Sequence, residues 1–150
     1  MSLPQPPTSI IGRDAEVLFA RAQLRRHEVR LLTLTGAGGV GKTRLALEII
    51  RQVANDYADG VHFVPIASIT DPDLVLPAIA TAVGFRNSST PDAFAAELDE
   101  RDILVVVDNF EQVTAAAPVI STLLQAAPGL QLMVTSRALL RISGEHQVQV

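Results

Sequence analysis

One octapeptide limits the folds open to this chain more than any other stretch: Gly36-Ala37-Gly38-Gly39-Val40-Gly41-Lys42-Thr43. It fits the pattern G-x-x-x-x-G-K-[ST] at every fixed position. The apolar run Leu31-Leu32-Thr33-Leu34-Thr35 leads into it, and a helical pattern over residues 43–54 follows. Strand, glycine-rich loop and helix, in that order, make a phosphate-binding turn. The glycines let the backbone bend tightly and bring its N–H groups round a phosphate. The helix N-terminus adds partial positive charge and free donors at the same spot. Lys42 then reaches the β- and γ-phosphates as a point charge, and the Thr43 hydroxyl holds Mg²⁺. The competing reading is a glycine-rich turn with an incidental Lys-Thr, and the flanking strand and helix argue against it.

The rest of the chain alternates in the same way. Val17, Ala20 and Leu24 recur at helical spacing after Gly12-Arg13-Asp14. Leu45, Ile49, Val53 and Tyr57 step along one face of the helix behind the glycine loop. Val61-His62-Phe63-Val64-Pro65-Ile66 reads as a strand, and Pro65 places it at or near an edge because it lacks a backbone donor. Asp71-Pro72 and Thr90-Pro91 start two further helices, with Gly84 ending the first and Asn87-Ser88-Ser89 forming the loop between them. Ile103-Leu104-Val105-Val106-Val107 is the strongest strand, followed by a helix over residues 114–127. Strands over residues 130–135 and 146–150 complete the pattern. The expected fold is α/β, a three-layer α/β/α sandwich with a parallel sheet and helices on both faces. Residues 10–150 form one domain, and residues 1–9, rich in proline, read as a disordered lead-in or an expression remnant.

Composition removes several function classes. The apolar fraction is 48% and only 19% of residues are charged, so the chain has the material for a packed core. Net charge is −4 without a basic stripe, which disfavours direct nucleic-acid contact by this segment. Cysteine is absent, which excludes disulfides and thiolate metal sites and fits a cytoplasmic location. No apolar run approaches the ~20 residues of a membrane span, and the start of the chain lacks the apolar core of a signal peptide.

In open α/β folds, ligands bind beyond the carboxyl ends of the strands. Three polar clusters stand at such ends: the glycine loop, Asp108-Asn109, and Thr135-Ser136-Arg137. Asp108 is placed to hold Mg²⁺ through water, or else to cap its strand end in an Asx turn. Its neighbour Asn109 can hydrogen-bond a water but cannot act as a base at neutral pH. Glu111 is either a substitute base or an exposed residue ahead of the next helix. Arg137 is either a phosphate ligand or half of a surface salt bridge. Any turnover should be slow.

Taken together, these motifs resemble the STAND class of P-loop NTPases, with the NB-ARC type of nucleotide-binding domain, from Ile10 to the C-terminus. Ile11-Gly12-Arg13-Asp14 is similar to the hydrophobic-Gly-Arg-Glu motif ahead of that domain, with Asp for Glu. Residues 32–46, including Arg44, are similar to its phosphate loop; L-V-V-V-D-N-F-E from Leu104 and Val134-Thr135-Ser136-Arg137 are similar to its Walker B and sensor-1 elements. The likeness is greatest to large bacterial transcriptional regulators and predicted ATPases. The resemblance implies a five-stranded sheet of order 5-1-4-3-2, ATP or ADP with Mg²⁺ as ligands, Arg137 at the γ-phosphate, and Ile11 and Arg13 on the adenine side. It also implies partners within a larger regulator: a helical lid and winged helix, absent here, with a DNA-binding module and helical repeats. Nucleotide-dependent self-association is a further implication. Two functions remain open on sequence alone, a slow ATPase switch and a non-hydrolysing module for interaction or assembly. No Asn-Lys-x-Asp motif supports GTP specificity, and no acceptor site supports a small-molecule kinase.

Overall fold

The computed structural model describes residues 13–85, 90–98 and 101–150. Five strands form one parallel sheet: β1 (Leu31–Thr35), β2 (Val61–Pro65), β3 (Ile103–Asp108), β4 (Leu130–Ser136) and β5 (Glu145–Gln149). Their spatial order is β2-β3-β4-β1-β5, the order expected. Pro65 lies on the edge strand β2, where a missing donor costs no ladder bond on the solvent side. The inner strands β1 and β3 are buried along their whole length, which accounts for their continuous apolar runs.

The helices are α1 (Asp14–Leu24), α2 (Lys42–Val53), α3 (Val75–Val83), α4 (Pro91–Leu98) and α5 (Ala117–Ala126). Alternation along each strand divides them into two layers. Leu32, Leu34, Leu104, Val106 and Met133 face α1 and α2, where Leu45, Ile49 and Val53 supply the helical side of the core. Leu31, Val105, Val107, Leu132 and Val134 face α3, α4 and α5, and Phe94 and Phe110 are fully buried there. Burying a side chain of that size stabilises by about 1.5–3 kcal/mol, so register and layer assignment are strongly held.

Several boundaries differ from the sequence reading. The helix behind the glycine loop stops at Val53, and a 3-10 turn over Ala54–Asp56 redirects the chain. Tyr57 therefore leaves the helix in extended conformation, and its hydroxyl donates to Gln131 Oε1 on β4. A polar cross-link to the sheet replaces one more turn of helix. Asp71 does cap, accepting from Asp73 N at 3.0 Å, but the turn it caps is 3-10, and α3 begins only at Val75. The predicted helix over 114–127 likewise opens with a 3-10 turn (Thr114–Ala116) before α5. Gly84 ends α3 in the left-handed conformation. The proposed loop at Asn87-Ser88-Ser89 and the lead-in segment lie outside the described residues.

The amino ends of the strands are tied by Arg30. Its guanidinium donates to the carbonyls of Leu124 at 3.0 Å, Ala127 at 2.5 Å and Leu130 at 2.8 Å. Those acceptors lie in the last turn of α5, at its exit and at the first residue of β4, and Ala127 O also accepts Leu130 N at 3.1 Å. Burial lowers the Arg30 pKa from its ordinary value. Beside it, Gln131 Nε2 donates to Leu24 O and Val29 O, and a cavity of about 270 Å³ opens among Arg25, His27, Tyr57 and Asp102.

Candidate functional site

At the opposite, carboxyl end of the sheet, the order β3-β4-β1 sets the three polar clusters side by side. The glycine loop leaves β1 and enters α2 through Gly41, whose φ of 91° is in the left-handed region that an L side chain rarely adopts. Lys42 opens the helix and is only 7% exposed. Its ammonium donates back to Gly36 O at 2.7 Å and Ala37 O at 3.1 Å, so the loop's own carbonyls hold the charge inside the curl of the loop. Thr43, one residue on, turns its hydroxyl toward β3 and donates to Asp108, 2.9 Å from Oδ1 and 3.1 Å from Oδ2.

Asp108 is 4% exposed. A buried carboxylate needs hydrogen-bond donors to remain in place. Besides Thr43 it receives the Thr135 hydroxyl on Oδ1 at 2.7 Å and, weakly, Asn109 Nδ2 on Oδ2 at 3.4 Å. Thr135 in turn accepts Asn109 N at 2.8 Å, so β4 braces both residues that follow the apolar run of β3. Asn109 has φ of 71°, a conformation that Asn tolerates better than most side chains. That residue turns the chain off the sheet and into a 3-10 turn, Phe110–Gln112, pinned by the fully buried Phe110. Glu111 rides on this turn half-buried, its Oε2 enclosed and without a hydrogen-bond partner among the described residues.

Arg137 follows the end of β4 and reaches back over the glycine loop. A Cβ built on Gly38 would stand 3.1 Å from Arg137 Nη2 and 3.7 Å from its Cζ. The guanidinium thus lies across the backbone of Gly38, where a side chain would push it away. Among the described residues Arg137 makes no salt bridge. Arg13 approaches the same loop from α1: Nη2 donates to Val40 O and Nη1 to Glu16 Oε2, both at 2.8 Å. The Arg13 hydrogen bond is the main reason the Glu16 carboxyl sits below its usual pKa. Arg44 is exposed in the first turn of α2. Ile11 lies outside the described residues.

The sequence-predicted residues Gly36 to Thr43, Asp108, Arg137 and Arg13 are therefore brought together. Glu111 and Asn109 lie on the adjoining turn. Thr135 is the residue that strand reading underweights. It was visible as a hydroxyl near the carboxyl end of an otherwise apolar strand, but its partner, Asp108, is set by the pairing of β3 with β4.

Chemically, the cluster offers backbone donors at a helix N-terminus, one ammonium, one guanidinium, and a hydroxyl beside a buried carboxylate. Donors and cations surround the space over the loop, and a hard-oxygen pair suited to a divalent cation closes one side. That combination fits a polyphosphate chain.

Comparison with known proteins agrees. Residues 25–146 match the AAA domain family. The chain is 34% identical over 142 residues to an uncharacterized protein of Mycobacterium tuberculosis, covering 92% of this chain and 36% of that one. It is 30% identical over 163 residues to the regulatory protein AfsR of Streptomyces griseus, covering 99% of this chain and 16% of AfsR. A Mycobacterium tuberculosis protein named as an HTH-type transcriptional regulator is 41% identical over 120 residues, with 77% of this chain and 13% of the regulator covered. The chain thus spans between 13% and 36% of the length of these relatives. Among solved structures, the Aeropyrum pernix ORC2 protein superposes with a TM-score of 0.66 at 17% identity, over 97% of this chain and 49% of that one. A signal transduction ATPase with numerous domains and a tetratricopeptide repeat sensor, from Pyrococcus horikoshii, gives 0.62 at 15% identity, over 97% and 24%. The chain belongs to the AAA domain family: it is a P-loop nucleotide-binding domain similar in sequence to parts of AfsR and of HTH-type regulators.

Proposed function

We propose that the domain binds ATP and ADP with Mg²⁺ and serves as a slow ATPase switch inside a larger regulator. The observation that carries this reading is the convergence at the sheet's carboxyl end: Arg137 lies across Gly38 while Thr43 and Thr135 both donate to Asp108. In this reading the N–H groups of Gly36 to Thr43 cradle the phosphates, and Lys42 exchanges its loop carbonyls for β- and γ-phosphate oxygens. Thr43 and Asp108 would hold Mg²⁺, Asp108 through water. The metal, when bound, neutralises charge on the β- and γ-oxygens. Arg137 reaches the γ-phosphate, and Arg44 flanks the phosphates from α2. Ile11 and Arg13 line the adenine side, and Arg13 also stiffens the loop through Val40. Positioning and charge neutralisation account for the chemistry, with no covalent intermediate.

Hydrolysis requires a base for the attacking water. Asn109 cannot serve, and Glu111 is the nearest acid on the same turn, with an enclosed carboxylate oxygen that has no hydrogen-bond partner among the described residues. Glu111 is therefore assigned as the weak base of a slow reaction. The second reading, nucleotide held structurally for assembly of the larger protein, is favoured by Asn109 alone.

The relatives' lengths support a domain working among others: a lid, a DNA-binding module and helical repeats are the proposed neighbours. Arg137→Ala tests the switch. ATP affinity should fall about ten- to a hundredfold, the worth of a charge-assisted contact, and ADP affinity should stay within twofold. A parallel loss for both nucleotides refutes the γ-phosphate role. Multiple-turnover phosphate release from wild type, absent in Lys42→Ala, separates the ATPase from the structural reading.

A further inference from the structure

We infer that Glu145 is a positioning residue for Arg137, acting through the strap that joins β4 to β5. The inference rests on the reading of Arg137 as the γ-phosphate contact.

The strap has an unusual task. Ser136 at the end of β4 pairs with Thr35, and Glu145 at the start of β5 pairs with Leu31. Residues 137–144 must therefore run from the carboxyl end of the sheet back to its amino end, past β1, without a helix. They do so on the α3–α5 side, where Leu140 is buried and Ile142 packs against the same core. Arg137 is the first residue of this strap.

Glu145 fastens the strap at its middle. One carboxylate oxygen, Oε2, accepts Leu140 N at 2.9 Å and the Thr33 hydroxyl at 2.5 Å, and the other accepts Arg141 N at 2.9 Å. Two successive backbone N–H groups thus converge on one anion, the arrangement that makes a backbone nest. The nest requires a local twist, and Arg141 supplies it with φ of 62°. A non-glycine residue holds that conformation only when its surroundings compensate, and the carboxylate is the compensation present. Thr33 ties the same carboxylate to β1, three residues before Gly36 opens the phosphate loop. Gln147 repeats the link one step along, donating to Thr35 Oγ1 at 2.7 Å.

The consequence is mechanical. Arg137 is exposed and its guanidinium contacts Gly38 by reaching, so its aim depends on where the strap leaves β4. Near that exit, the Ser136 hydroxyl accepts Ala138 N only at 3.4 Å. The next anchor is the Glu145 carboxylate at residues 140 and 141. Glu145 thereby couples the distance between β1, which carries the phosphate loop, and the strap, which carries the arginine. An amide in its place offers one acceptor oxygen where the carboxylate offers two, so one of the two N–H groups meets an NH2 donor, and the anionic charge that makes those bonds short and strong is lost.

The test is a double-mutant cycle on the full chain, read by competition of ATP and ADP against a fluorescent ADP analogue. Glu145→Gln should lower ATP affinity about threefold to tenfold, a part of the ten- to hundredfold that the whole Arg137 contact is worth. ADP affinity should not change. In an Arg137→Ala background the same substitution should have no further effect on ATP, because its target is gone. Hydrogen exchange at the Leu140 and Arg141 amides should accelerate in Glu145→Gln, while the amides of the sheet keep their protection. Thr33→Val removes one of the three donors without touching charge, and should move ATP affinity in the same direction by less; it serves if Glu145→Gln does not fold. Folded Glu145→Gln with unchanged ATP affinity, or an equal loss of ATP and ADP, overturns the inference while a normal Arg137→Ala loss leaves the switch intact. An Arg137→Ala variant that still discriminates ATP from ADP overturns both.

Discussion

The two ends of the sheet each gather arginine, carboxylate and hydroxyl or amide groups, yet they are built on opposite plans. At the amino end, Arg30 spends its guanidinium on three main-chain carbonyls, and Gln131 divides itself between two more carbonyls and the Tyr57 hydroxyl. Backbone partners cannot move away without unfolding an element, so Arg30 and Gln131 are committed to the fold, and Tyr57 with them through its bond to Gln131. At the carboxyl end the bonds between Thr43, Asp108 and Thr135 join side chain to side chain, and Lys42 reaches only the carbonyls of its own loop. Such partners can be exchanged for a ligand's oxygens at small cost, because the elements that carry them are held elsewhere by the apolar layers. The described cavity of about 270 Å³ lies at the committed end.

Substitutions on the two sides should separate stability from binding. The largest effect is expected from Arg30→Ala, which removes three hydrogen bonds to main-chain carbonyls between the last turn of α5 and the start of β4. The loss should be about 3 kcal/mol, seen as a fall in Tm of roughly 6–12 °C, with nucleotide affinity unchanged in the fraction that remains folded. Weaker nucleotide binding by folded Arg30→Ala would break the contrast. Lys42→Ala should do the reverse. ATP affinity should drop by about one to two powers of ten, or roughly 1.5–3 kcal/mol, in calorimetric titration, while Tm stays within a degree or two of wild type. Equal ATP affinity in the two proteins would refute the phosphate-loop assignment.

The smallest effect belongs to Tyr57. Burial, with help from the charges of Asp102 and Asp56, raises its pKa well above the ordinary phenol value. In the unfolded chain the group ionises near pH ~10, while in the folded chain it stays neutral. Stability that is complete below that pH must therefore decline as pH rises past it, since only the unfolded state gains by releasing the proton. Tyr57→Phe should lose about 1 kcal/mol at neutral pH, because Gln131 Oε1 loses its donor. It should also show a flatter decline in Tm between pH 9.5 and 11 than wild type. A decline as steep as that of wild type would place the alkaline sensitivity elsewhere and weaken the view of Tyr57 as a committed group.

Much of the site was legible because its information is local. The spacing in Gly36 to Thr43 defines a loop whose backbone must turn and whose next residues must start a helix; no distant contact is needed to read it. The apolar runs ending in Asp108 and Ser136-Arg137 likewise announce strands and the ends at which ligands collect. What could not be read locally were the boundaries where a tertiary contact competes with helix propagation. Tyr57 keeps the apolar helical period of Leu45, Ile49 and Val53, yet its hydroxyl finds Gln131 on a distant strand, and the helix ends to allow it.

The sequence by itself determined the alternation of strands and helices, the phosphate loop and the residues at three strand ends, because these follow from nearest-neighbour sterics and hydrophobic period. Only the tertiary structure decided which of those ends meet. Thr135 reaches Asp108 because β4 lies beside β3. Arg137 crosses Gly38 because β4 also borders β1. Arg30 and Glu145 acquire their roles from acceptors and donors presented by elements that packing brings beside them. Sheet order is selected by how two apolar faces close over one set of strands, a global condition that no short window of residues contains.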